Sequence, residues 1–162
     1  MSDEQKRLSE ETLLDIAERN LKAADAISRE LPNDDGLINN VGYNLQQAIE
    51  LGVKHVLETN GIQYPFTHDI DDLTNILPDD CKEMFADIHQ NAGNITKLEA
   101  KTRYTKGYRA ALETVRTASN LAHQMVERIK ERETKLATEA EKEATRIEKK
   151  FGNPDSQNSL GR

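Results

Sequence analysis

The chain has 162 residues with 22 basic and 29 acidic side chains, a net charge of -7. At about 150 residues per domain that is one core plus an appendage, and the acidic balance excludes a chain that coats nucleic acid through bulk positive charge, so any phosphate site must be local. Three Phe, four Tyr and no Trp leave packing to aliphatic helix faces rather than to a sandwich or barrel, and no run reaches the ~18 apolar residues of a membrane span.

Ser9, followed by Glu10 and Glu11, is expected to start the first helix by capping free amides beside carboxylates that suit the helix dipole. Leu14, Ala17, Leu21, Ala24, Ile27 and Leu31 then recur every three or four residues up to a break at Pro32 to Gly36, one apolar stripe that needs a partner helix. The second helix carries Ile38, Val41, Leu45, Ala48, Gly52 and Val56 on one face and stops at Asn60-Gly61. Its small residues Gly42, Ala48 and Gly52 let neighbours come close, which places it at the centre of a bundle. After Tyr64-Pro65, Thr67 is expected to cap a short helix with Ile70, Leu73 and Leu77, ended by Pro78. Asp79 or Asp80 starts the next, whose face reads Cys81, Met84, Phe85, Ile88, Ala92 and Ile95. Cys81 is the sole cysteine, which rules out an internal disulfide and fits a reducing compartment; with an N-terminus lacking the apolar stretch of a secretory signal, the expected location is cytoplasmic.

A basic turn from Lys101 to Lys106 leads into the last helix, with Tyr108, Ala111, Leu112, Val115, Ala118, Ala122, Val126 and Ile129 as its stripe. From 130 to 150 only Leu136 and Ile147 are large and apolar, the pattern of a charged helical arm steadied by pairs such as Glu131 with Lys135. Residues 151–162 combine Gly, Pro, Ser and Asn without periodicity and are expected to be a disordered tail. Residues 9–129 thus predict an all-α, up-and-down bundle of four to five helices, extended by the arm.

Four features depart from plain amphipathic helix. Tyr43, Gln46, Gln47, Glu50 and Lys54 form a polar ridge on the second helix, with Glu50 and Lys54 four apart in the favourable order. His68 and Asp69 open the short helix; an imidazole beside a carboxylate suits acid-base work, or the carboxylate simply caps the helix. No second His lies at ligand spacing, so neither a metal nor a cofactor is expected. Lys97, Lys101, Arg103, Lys106 and Arg109 against Glu99 alone make residues 97–109 locally basic, with Tyr104 and Tyr108 between them, a combination that holds phosphate oxygens while a base stacks. Arg109, Arg116, His123 and Lys130 are spaced seven apart on the last helix, along one side, with about 10 Å between Arg116 and His123; local pairs of Arg109 with Glu113 and His123 with Glu127 compete with a functional role.

The stretch QQAIELGVKHVLETNGIQYPFTHDIDDL, followed by TRY before a long helix, resembles the HEPN domain, the helical nucleotide-binding domain of prokaryotes and higher eukaryotes. The resemblance runs from about residue 9 to 129, with Gln46, Gln47, Glu50 and Lys54 matching its second-helix motif, His68 and Asp69 its loop motif, and Arg103 and Tyr104 its pre-helix pair. It implies a dimerising bundle that binds nucleotide or RNA through those residues with Lys101 and Arg109. Members of the wider superfamily that are metal-independent ribonucleases carry an arginine, four to six intervening residues, then a histidine; Arg116 and His123, with TASNLA between them, fit the upper limit of that spacing, although Met125 stands where the toxin-type form has Tyr. Other members are binding or partner modules encoded beside a small nucleotidyltransferase. The resemblance therefore implies three readings: a phosphate-binding homodimer, a ribonuclease with His123 as base and Arg116 as charge stabiliser, and a structural partner of a nucleotidyltransferase-type protein.

Overall fold

A computed structural model of the chain describes residues 1–152. Its helices are α1 (Asp3–Ser9), α2 (Leu13–Ser28), α3 (Ile38–Thr59), α4 (Ile70–Asn75), α5 (Asp79–Lys82), α6 (Ala86–Gln90), α7 (Ala92–Tyr104) and α8 (Leu112–Phe151), with 3-10 turns at Asp35–Leu37 and Glu83–Phe85 and no strand among the described residues. No described helix is long and apolar enough to cross a membrane. Residues 1–128 form one compact unit and a second begins at Ile129.

The start of α2 is not at Ser9. Thr12 caps it, because Asp15 stands at the one position from which a carboxylate can reach back: the Asp15 amide donates to Thr12 Oγ1 at 3.2 Å, and the Thr12 amide donates to Asp15 Oδ2 at 2.8 Å. The Thr12 amide and then its hydroxyl, both donating to Asp15 Oδ2, hold that carboxyl below its ordinary range. Ser9 instead ends α1, its hydroxyl donating to the Lys6 carbonyl. The helix α2 stops at Ser28, so Leu31 lies beyond the stripe it was expected to extend.

The helix α3 is the centre of the first unit, with Leu45, Ala48, Ile49, Val53 and Leu57 fully buried, each large side chain contributing about 1.5–3 kcal/mol. Its two glycines admit side chains rather than backbone. A Cβ on Gly42 would press on Leu98 of α7 and Val115 of α8, and one on Gly52 would overlap the Met125 thioether of α8. Gly42 beside Val115 and Gly52 beside Met125 advance in step, so α3 and this part of α8 run parallel. In contrast, α7 runs back along α3: Thr96 accepts from the Ile70 amide near the middle of α3, whereas Arg103 lies over Tyr43 near its start. Packed helices joined this way make the up-and-down bundle the stripes predict.

The single helix expected from Asp79 through Ile95 is broken into α5, a 3-10 turn, α6 and α7. Phe85 (φ -108°, ψ 10°) and Asn91 (φ -103°, ψ 7°) leave the helical region, while Cys81, Phe85, Ile88, Ala92 and Ile95 still reach the core. The last helix begins at Leu112, not Tyr108. Gly107 turns the chain at φ 74°, and Asn39 of α3 then grips the link, donating to the Tyr108 carbonyl at 2.8 Å and accepting from the Ala110 amide at 2.9 Å.

In the second unit α8 continues to Phe151 with Leu136 and Ile147 exposed. The expected Glu131–Lys135 pair does not form; an Arg146–Glu143 pair does, at 2.7 Å. Of the expected tail, residues 153–162 lie outside the described residues.

Candidate functional site

At 100° per residue, Tyr43, Gln46, Gln47, Glu50 and Lys54 fall within about 100° of the α3 circumference. A solvated ridge is not what the structure makes of them: Gln46, Glu50 and Lys54 are buried, Glu50 to 3% exposure. The Glu50 carboxylate accepts from Lys54 Nζ at 2.7 Å and from Gln46 Nε2 at 2.9 Å, and His68 Nδ1 sits 3.1 Å from both of its oxygens. Gln46 also donates to the His68 carbonyl at 3.2 Å, and Gln47 donates to Gln46 Oε1 at 2.7 Å. The link from Asn60 to Asp69 is thereby fastened over the ridge. No buried side-chain polar atom among the described residues lacks a partner, the condition under which burying charge is tolerable.

Tyr64 closes the far end. Lys54 Nζ lies 5.6 Å from its ring centroid, and its hydroxyl donates to Glu58 at 2.8 Å. Burial, followed by the Glu58 hydrogen bond and charge, pushes this phenol up to about 12.

His68 and Asp69 do not act as a pair. Asp69 caps α4, accepting from the Asp71 and Asp72 amides at 2.8 and 3.2 Å, whereas Thr67, the expected cap, only accepts from the Asp69 amide. The carboxylate that serves His68 is Glu50. Because both carboxylate oxygens can only accept, Nδ1 carries the proton that faces them. The half-exposed ring then has Nε2 on its other edge, with no partner among the described residues.

Lys101, Arg103 and Tyr104 occupy the last turn of α7 rather than a loop. Arg103 pairs with Glu99, and its guanidinium carbon lies 5.0 Å from the Tyr43 ring centroid and 5.0 Å from that of Tyr104. Tyr43 belongs to the ridge, so this stack joins the basic patch to it. Lys101 Nζ lies 6.0 Å from the Tyr108 ring. Arg109 donates to the Tyr108 carbonyl at 3.0 Å and sits against Gly36; it is outside α8 and makes no pair with Glu113.

The structure separates His123 from this face. Gly52, which meets Met125 of α8, lies about 200° around α3 from Glu50, so α8 passes behind the ridge at the level of His123. His123 Nε2 is 3.1 Å from Asp25 of α2, not on Glu127, and Arg116 is exposed. A side chain that spacing arguments passed over is Phe66, 97% exposed with its ring 5.9 Å from that of His68. Its signal is an apolar side chain beside Pro65 in a link with no stripe to join.

Among the described residues no group of three or more His, Cys, Asp or Glu is placed to hold a metal ion. The searches of curated proteins and of solved structures returned no match. A family model described as HEPN domain matches residues 10–132. With the bundle and most of its length covered by that match, the chain belongs to the HEPN domain family.

Proposed function

We propose that this HEPN-domain chain is a binding module that holds nucleotide or RNA phosphates on the face made by the end of α7 and the link over α3. One observation carries the reading: Arg103 is held between Tyr43 and Tyr104 on an exposed basic turn, in a protein of net charge -7. Lys101, Arg103 and Arg109 contact phosphate, and the outer edge of His68 faces the ligand. Gln46, Gln47, Glu50, Lys54 and Asp69 hold the frame, since their polar atoms are spent on one another and on α4. HEPN domains commonly dimerise, which supports a homodimer, checked by solution mass.

The test is RNA affinity against salt. Phosphate contacts displace condensed counterions, so log affinity falls with log salt by about 0.7 per contact on a single strand. Arg103→Ala should flatten that slope by about one contact and weaken binding; affinity unchanged between low and high salt contradicts the reading. Capture of one dominant protein with no RNA retained would favour a structural partner of a nucleotidyltransferase-type protein. Metal-independent cleavage lost in His123→Ala would favour the ribonuclease. Because His123 is held by Asp25 of α2, that chemistry would have to be assembled away from the ridge.

A further inference from the structure

We propose that the ligand on this face is a single-stranded nucleic acid of three or more nucleotides, clamped between the rings of Tyr104 and Phe66, rather than a mononucleotide. The inference rests on the binding reading above and adds the ligand's strandedness and length. Phe66 is 97% and Tyr104 77% exposed. Neither ring contributes to the core, and such rings gain free energy when a base covers them.

Both rings stand on anchored backbone. Phe66 lies between Pro65, which fixes its own φ, and Thr67, which accepts from the Asp69 amide at 3.0 Å. Its ring meets that of His68 edge-on at 67°, and His68 is held by Glu50. Tyr104 has the Arg103 guanidinium against it, itself tied to Glu99.

Their spacing sets the ligand length. Arg103 lies level with Tyr43 and His68 level with Glu50, seven residues along α3, or about 10 Å. Stacked nucleotides rise about 3.4 Å each, so about three steps separate the anchors of the two rings along α3. One base cannot stack on both. A duplex hides its base faces, whereas a single strand offers them, and ring faces accept any base. Lys101 and Arg103 supply donors for the phosphates between.

The test measures affinities of the full chain for AMP, oligoadenylates of two, four and eight nucleotides, an oligodeoxyadenylate of eight, and an RNA hairpin stem. Affinity should rise steeply up to about four nucleotides and then level, with the stem bound more weakly than the eight-mer. Phe66→Ala and Tyr104→Ala should each weaken the eight-mer roughly 5- to 100-fold, and Phe66→Trp should retain it. Phe66→Ala should leave its circular-dichroism melting curve unchanged, since an exposed ring packs against nothing inside. The deoxy eight-mer should bind within about 5-fold of the ribo eight-mer, because rings and phosphate donors do not read the sugar. AMP bound as tightly as the four-mer, an unaffected Phe66→Ala, a preferred stem or rejected DNA would each overturn the clamp while leaving phosphate binding in place. No binding of any ligand at low salt would overturn both.

Discussion

Two histidine–carboxylate pairs in this chain have the same length and different physics. His68 meets Glu50 at 3.1 Å and His123 meets Asp25 at 3.1 Å, with the imidazoles equally exposed at 50% and 51%. The carboxylates differ, at 3% and 38%. Glu50 is enclosed with Lys54 and Gln46 also donating to it, so water cannot replace any of them and one geometry is enforced. Water competes freely for Asp25 and His123, as in surface pairs worth about 0–1 kcal/mol. A short distance therefore says little about positioning until the burial of the acceptor is known.

The comparison breaks most readily at Glu50. Glu50→Ala leaves the buried Lys54 ammonium without its counter-charge, and a loss of about 3–5 kcal/mol is expected in denaturant unfolding. If Asp25→Ala costs as much, the two pairs are equivalent after all. Gly52→Ala probes the opposite side of α3, where the added methyl collides with Met125. It should cost about 1–3 kcal/mol by overpacking and leave RNA affinity intact, because the ridge does not share that seam.

Alkaline unfolding sharpens the contrast further. Tyr64 is raised from 10.0 to about 12 in the fold. Its contribution is fully present below pH 10 and is lost as pH rises through about 12, since the unfolded chain releases that proton first. Stability should fall across this window, and Tyr64→Phe should lessen the fall; identical profiles would mean that Tyr64 is not buried against Lys54 and Glu58. Asp25→Ala is the smallest effect, about 0.5 kcal/mol. Its melting temperature should barely move.

The bundle was legible because α2, α3 and α8 bury residues at regular three- and four-residue steps, as in Leu14, Ala17 and Leu21. Helix ends were not. Ser9 and Thr12 are equivalent as cap types, and only the reach of Asp15 decides between them. The breaks at Phe85 and Asn91 are dihedral changes that leave the apolar spacing untouched. Within the site, the Glu50–Lys54 pair was legible as an i,i+4 contact. The Glu50–His68 contact spans 18 residues and belongs to tertiary structure. Of the two expectations for Asp69, partner of His68 or helix cap, the cap holds, because its oxygen is spent on the α4 amides. The seven-residue series on the last helix lost Arg109 for a comparable reason, since Asn39 holds residues 108–110 off the helix.

The central claim is that ligand phosphates meet the α7 end beside the buried ridge and not the α8 pair. Single-stranded RNA affinity of Arg103→Ala and Arg116→Ala, measured side by side at low salt, tests it most directly. Loss of a charge-assisted contact worth about 1.5–3 kcal/mol predicts a drop of more than 10-fold for Arg103→Ala and little change for Arg116→Ala. The reverse order would contradict the account.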